Sequence, residues 1–262
     1  MKRTGFIGAG NMAFAIAGAI SDNDESAVIV PYDIDKERLS LFEKKLSHVE
    51  LGTDPLQVVN SCDVTFLAVK PQVMAEVIAP LKDTSGLIVS IAAGIPISFF
   101  EKAMPKARVV RVMPNTPSLV SEMAAGYTPG QFATKKDMAL VRSLLETAGK
   151  VVKVREELMD GVTGLSGSGP AFFAIIAEAF MEAGTDLGLN PEFARVLTLQ
   201  TMKGTAMLME EKDMLPRELV NMVSSPNGTT VAGREIMESS DIKKIIKDTV
   251  KRAAERSREL GE

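Results

Sequence analysis

TGFIGAGNMA, residues Thr4 to Ala13, decides how the rest of the chain is read. The short run TGFI breaks at Gly8-Ala9-Gly10-Asn11-Met12-Ala13 and passes directly into a helical pattern, NMAFAIAGAI. Strand, turn and helix in that order form the setting in which G-x-G-x-x-A binds a dinucleotide. Gly8 permits the tight turn, Gly10 lets the backbone approach a pyrophosphate, and Ala13 allows the helix to pack closely on the strand. Asn11 and Met12 open that helix beside the pyrophosphate. A purely structural βα turn can carry the same glycines, so the motif needs a second signal. Asp33 supplies one: it lies 20 residues beyond Ala13, at the end of AVIVPYD, where a carboxylate accepts from the ribose hydroxyls of NAD.

Outward from this motif, β-rich runs alternate with helical patterns through about residue 155. KERLSLFEKKL, DVTFLAV (63–69), a helix opened by Pro71, GLIVSIA (86–92), a short helix near 97–103 and RVVRVMP (108–114) follow one another. Near-continuous Val/Ile runs of this kind indicate parallel strands covered on both faces. An apolar stretch at 123–127, a helix near 135–148 and KVVKV (150–154) complete the sheet. The expected fold is α/β, with an N-terminal Rossmann-type doubly wound sheet over residues 1–155. The ends of LAVKP, SIAAG and VMPNTP carry small or polar residues just after an apolar run. Val69, Lys70, Pro71, Ser90, Ala92, Asn115 and Thr116 are therefore candidates to line the nicotinamide end of a cofactor, and each is equally an ordinary strand-end cap.

From residue 156 the strand signals stop and helical periodicity takes over, so residues 156–262 are expected to form an all-helical domain. SGPAFFAIIAEAFMEAGTDLGL (168–189) is apolar around most of its circumference, and FARVLTLQTMKGTAMLM (193–209) nearly so. That is more apolar surface than a small helical domain buries alone, and a subunit interface is its natural cover. Glu178, Glu182 and Asp186 share a helix face and read as a solvated stripe rather than an acid/base set. The Met-rich portion reads as packing.

The chain has 262 residues, 45% of them apolar, with 30 Lys and Arg against 34 Asp and Glu, a net charge of -4. No basic run offers a footprint for nucleic acid. Cys62 is the only cysteine and His48 the only histidine, which excludes an intrachain disulfide and a cysteine-based metal cluster and suits a reducing cytoplasm. Lys2-Arg3 followed by an apolar run with Ala13-Phe14-Ala15 superficially resembles a signal peptide, but Gly8, Gly10 and Asn11 interrupt it. The longest apolar helix candidate, PAFFAIIAEAF, contains Glu178, and no stretch reaches 18 uninterrupted apolar residues, so no membrane span is expected.

SSPNGTT, residues 224–230, interrupts the helical half. An Asn-Gly hairpin turn is one reading. No alternating strand pattern flanks it, however, and a helix starting at Gly228-Thr229-Thr230 offers unpaired N–H groups to an anionic ligand. The chemistry is narrowed by what is missing. A single histidine in a loop disfavours the His-Asp relay of 2-hydroxy-acid dehydrogenases. In GLSGSGPAFF (164–173), Phe173 stands where β-hydroxyacid dehydrogenases have a catalytic lysine. Alcohol oxidation thus lacks its base, whereas an imine, already electrophilic when protonated, needs only a hydrogen-bonding partner.

GFIGAGNMA, LAVKPQ, VSIAAGIP, RVMPNTP, GLSGSGPAF and VSSPNGTTVAG, in this order over essentially the whole chain, resemble the Δ1-pyrroline-5-carboxylate reductases. The resemblance implies NAD(P)H-dependent reduction of a cyclic imine to L-proline and a helical C-terminal domain that interlocks between subunits in a homodimer or higher homo-oligomer. It implies that the Thr230 hydroxyl hydrogen-bonds the ring nitrogen, that Gly228, Thr229 and Thr230 receive the substrate carboxylate, and that Ser225 adds a contact. The family usually has Pro-Gly-Gly-Thr-Thr; here Asn227 replaces the first glycine, and asparagine tolerates a left-handed backbone. Either cofactor fits the family. Asp33 points to a moderate NADH preference, because a carboxylate repels the 2′-phosphate of NADPH. Lys36 and Arg38 oppose that reading, and Asp35 is the alternative ribose ligand. Rival readings are another imine or β-hydroxyacid reductase on the same two domains, and a non-catalytic nucleotide-binding redox sensor.

Overall fold

The structure is a computed structural model that describes residues 2–261. Seven strands form one sheet: β1 (Arg3–Ile7), β2 (Val28–Tyr32), β3 (Val64–Leu67), β4 (Leu87–Ser90), β5 (Arg108–Met113), β6 (Met123–Pro129) and β7 (Gly149–Lys153). Their spatial order is β2-β1-β3-β4-β5-β6-β7. The strands from β1 to β5 pair in parallel, with Gly5 opposite Val30 on one side and Thr65 on the other. Helices α1 (Asn11–Asn23), α2 (Lys36–Lys45), α3 (Pro55–Ser61), α4 (Met74–Ile78), α5 (Ile97–Ala103) and α6 (Lys135–Leu145) connect them.

Both faces of the sheet are covered, as the unbroken Val/Ile runs require. On one face Phe6, Phe66 and Val110 pack with Ile16 and Ile20 of α1, Phe42 of α2 and Val141 of α6. On the other, Ile7, Val30 and Ile88 pack with Val58 of α3, Met74 and Ile78 of α4 and Phe100 of α5. This is the doubly wound arrangement.

One strand departs from the all-parallel expectation. β6 runs antiparallel to β5, with Met113 opposite Gly126 and Val110 opposite Pro129. The segment from Pro114 to Glu122 holds only a short 3₁₀ turn, Thr116–Val120. A parallel crossover needs about a dozen or more residues, so a connection this short returns the chain in the opposite direction. β7 then pairs parallel to β6.

Beyond β7 the described chain is helical: α7 (Met159–Val162), a π turn (Thr163–Gly167), α8 (Gly169–Asp186), α9 (Pro191–Glu211), α10 (Pro216–Met222), α11 (Thr229–Ser239) and α12 (Ile242–Gly261). The chain divides into two compact units, one up to Pro170 together with the segment from Val250 on, the other Ala171–Thr249. Within the first unit, the Ser257 hydroxyl donates to Asp160 Oδ1 at 2.7 Å. A Cβ on Gly164 would come within 2.6 Å of the Val250 carbonyl oxygen. The last turns of α12 therefore seat on α7 and the π turn.

Within the second unit, only Ala177, Ala194 and Leu219 are buried apolar residues among those described, while Phe173, Phe180, Phe193, Val196, Leu197 and Leu199 are exposed. Glu156–Asp186 is long and apolar enough to cross a membrane by length and composition, and only 17% of that window is buried. On α9, Phe193, Val196, Leu197, Leu199 and Met207 are exposed as well, as expected of a face that a second copy covers. Leu199→Glu should therefore weaken assembly, because association would bury an unpaired carboxylate. Light scattering is expected to show a smaller particle than the wild type gives; an unchanged mass would mean that this face is not an interface.

Candidate functional site

The chain leaves β1 toward β2 on one side and later returns to β3 on the other. The carboxyl ends of β1 and β3 thus flank a topological switch point, where open α/β sheets bind ligands. A cavity of about 670 Å³ lies there, lined by Gly8, Gly10, Asp33, Arg38, Val69 and Lys70 among others. The glycine loop is built for close approach. Gly8 has φ +97, its N–H donates to the Tyr32 carbonyl at 2.8 Å, and a Cβ there would sit 2.7 Å from the Ala68 carbonyl oxygen. A Cβ on Gly10 would meet nothing within 4 Å, so that side of the loop is open space. Gly10 begins α1 without a side-chain cap, and no acidic residue occupies the first turn. The positive end of α1 therefore faces that space with N–H groups available to an anion.

Asp33 is engaged more tightly than its sequence position suggests. Its Oδ2 accepts the Ala9 N–H at 2.6 Å and its Oδ1 accepts the Asp35 N–H at 2.9 Å. The carboxylate thus ties the end of β2 to the glycine loop while remaining on the cavity wall. Asp35 caps α2, accepting from Glu37 and Arg38 N–H. Arg38 Nη1 donates to Asn11 Oδ1 at 2.8 Å, and the Ser118 hydroxyl donates to the Met12 sulfur at 3.3 Å.

The remaining strand-end candidates separate. Val69 and Lys70 line the cavity, and Pro71 begins the 3₁₀ turn that follows. Ala92 is buried, with its N–H directed to the Ser90 hydroxyl at 3.4 Å. Asn115 is also buried, and both ends of its amide are held by the fold: Oδ1 accepts the Ala124 N–H at 2.9 Å and Nδ2 donates to the Ser166 carbonyl at 3.0 Å. It joins the start of β6 to the π turn. Sequence reasoning missed Ile34, Val73 and Val77 of the cavity wall, which carry no polar signal. His48 is exposed, with φ 50, and takes part through its carbonyl, which accepts the Ile29 N–H. Burial pushes the Cys62 thiol up, so it stays protonated at neutral pH and is a poor nucleophile.

In the second unit, the SSPNGTT stretch forms a tight turn into α11. Asn227 takes φ 57, the left-handed conformation for which asparagine is suited. The Gly228 N–H then donates to the Ser225 carbonyl at 3.0 Å, and a Cβ on Gly228 would collide with the Ser225 hydroxyl at 2.5 Å. Gly228 begins α11 with no side-chain cap. Thr229 and Thr230 are exposed at the positive end of an 11-residue helix. No strand flanks Asn227-Gly228 among the described residues, which removes the hairpin. Nearby, Arg234 donates to the Ser224 hydroxyl at 3.3 Å and lies 3.4 Å from Glu238. Glu178, Glu182, Asp186 and Phe173 are all exposed on α8.

Comparison with known proteins gives matches in both halves of the chain. Residues 156–260 match the family model for pyrroline-5-carboxylate reductase dimerisation, and residues 3–94 match one described as NADP oxidoreductase, coenzyme F420-dependent. A pyrroline-5-carboxylate reductase of Methanosarcina acetivorans is 40% identical over 99% of this chain and 98% of its own length. The structure of a pyrroline-5-carboxylate reductase from Coxiella burnetii superposes with a TM-score of 0.93 at 34% identity, over 99% of this chain and 98% of that one. A Plasmodium falciparum pyrroline carboxylate reductase with NADP bound gives 0.87 at 28% identity, over 100% and 98%. With a glycine loop at the switch point, an uncapped threonine helix start and relatives alike from end to end, the chain belongs to the pyrroline-5-carboxylate reductase family.

Proposed function

We propose that this chain reduces Δ1-pyrroline-5-carboxylate to L-proline, using NADH or NADPH with a moderate preference for NADH, as a homodimer or higher homo-oligomer in a reducing cytoplasm. The observation that carries the reading is the open space over Gly10 at the uncapped start of α1, in a chain so similar to reductases of that name. The residues present fit a dinucleotide. Gly8, Gly10, Asn11 and Met12 would hold the pyrophosphate, Asp33 the adenosine ribose, and Val69, Lys70, Pro71, Ala92 and Asn115 the nicotinamide end, Asn115 through its backbone because its amide is already engaged. When bound, reduced nicotinamide supplies a hydride to the imine carbon while the C=N electron pair moves onto the protonated nitrogen.

The chain's own residues bind and orient. The N–H groups of Thr229 and Thr230 at the start of α11 take the substrate carboxylate, where the helix dipole favours negative charge. Gly228 keeps the turn free of a Cβ, and Ser225 adds a contact. The Thr230 hydroxyl hydrogen-bonds the ring nitrogen. A protonated imine is already an electrophile, so no strong acid is required. Phe173 in place of a lysine, and a histidine confined to a surface loop, are compatible with that economy of groups.

The test is loss of reduced-nicotinamide absorbance with pyrroline-5-carboxylate, set beside oxidation of 3-hydroxy acids. Turnover of the imine and none of the hydroxy acids is expected; the reverse would transfer the chain to the hydroxyacid class. In the same assay kcat/KM should favour NADH, and Asp33→Ser should lower the NADH-to-NADPH ratio by about tenfold, because it removes a ribose acceptor and a charge that repels the phosphate. A wild type that prefers NADPH, or a ratio unmoved by the substitution, would show that Asp33 does not read the ribose.

A further inference from the structure

Arg38 lines the cavity in the first turn of α2, beside Asp33 and Asp35. Both neighbouring carboxylates are engaged by backbone N–H groups: Asp33 by Ala9 and Asp35, and Asp35 by Glu37 and Arg38. Arg38 makes no ion pair among the described residues, and its only side-chain partner there is Asn11, which fixes Nη1 at 2.8 Å. A guanidinium has five N–H donors in a rigid fork. Here one is used to hold the group across the first turns of α1 and α2, and the rest are available at the cavity wall.

The geometry points to Arg38, held by Asn11, as the residue that reads the 2′-phosphate of NADPH. The inference rests on the reading of this cavity as the dinucleotide site. Asp33 stands where the ribose 2′-hydroxyl is recognised, and Arg38 is the adjacent unmatched cation. Toward NADH it meets only hydroxyls. Toward NADPH it can donate a paired, charge-assisted set of hydrogen bonds to a phosphate dianion, a geometry that lysine does not reproduce. Asn11 fixes the fork in advance, which reduces the ordering cost of binding. Asp33 and Arg38 then act on the same choice in opposite directions, so the proposed preference for NADH is moderate rather than absolute.

Calorimetric titration with NADP⁺ and NAD⁺, without substrate, tests this independently of turnover. Arg38→Ala is expected to weaken NADP⁺ relative to NAD⁺ by about ten- to a hundredfold, the range for losing hydrogen bonds to a charged group. Arg38→Lys should recover part of that loss, and Asn11→Ala should move the ratio in the same direction as Arg38→Ala but less far. Equal weakening of both cofactors by Arg38→Ala would assign Arg38 to a shared part of the cofactor and overturn the proposal, as would no change in either. A wild type that binds neither cofactor would overturn the cofactor site itself and the proposal with it.

Discussion

Gly8→Ala is expected to weaken cofactor binding by up to about a hundredfold. At φ +97 the backbone lies where a Cβ is strained, which costs about 1–2 kcal/mol. The added methyl would also sit 2.7 Å from the Ala68 carbonyl oxygen and 2.9 Å from Val69 Cγ1. The carbonyl belongs to the chain just past β3 and has little room to retreat, since the Ala68 N–H is bonded to the Ile7 carbonyl at 2.8 Å. Relief of such overpacking adds about 1–3 kcal/mol. A total near 3 kcal/mol is divided between a displaced glycine loop and a less stable fold, so about two decades in Kd is the upper limit of the binding loss. Calorimetric titration with NAD⁺ and thermal unfolding should show both losses. Gly10→Ala separates the two causes. Its Cβ meets nothing within 4 Å in the free protein, so Tm should hold while binding falls, because the methyl occupies space needed by the pyrophosphate. Wild-type affinity in Gly8→Ala would mean that the loop does not approach a cofactor.

Thr230→Ala is expected to lower turnover by about ten- to a hundredfold with cofactor affinity nearly unchanged. A hydrogen bond to a charged group contributes about 1.5–3 kcal/mol, and each 1.36 kcal/mol of barrier is about a factor of ten in rate. Thr230 is exposed in the first turn of α11, so removing its hydroxyl leaves no buried group without a partner and the fold should tolerate the change. Thr230→Ser, which keeps the hydroxyl, should restore most of the rate. Steady-state kinetics with pyrroline-5-carboxylate, alongside a cofactor titration, makes the measurement. Unimpaired turnover in Thr230→Ala would remove Thr230 from the reaction, and an equal loss in both Ala and Ser variants would point to packing instead of the hydroxyl.

Features that depend on near neighbours along the chain were legible in the order of residues. The seven apolar runs became seven strands, the glycine fingerprint became a strand-turn-helix, and the pattern beyond residue 156 became helices. Periodicity and turn chemistry are local properties: Asn227 takes its left-handed conformation because of what asparagine is, and a helix start without a cap is visible in Gly228-Thr229-Thr230. Where distant groups meet was set by the packing of the elements. The direction of β6 followed from a connection too short for a crossover. The last turns of α12 joined the first compact unit through Ser257 and Asp160, 97 residues apart. Asn115 found Ser166 across 51 residues, Asp33 turned onto the Ala9 N–H across 24, and Arg38 reached Asn11 across 27. No periodicity records such pairings. A buried polar group takes whichever partner the packed elements bring within reach, and that is settled only when the sheet has closed around it.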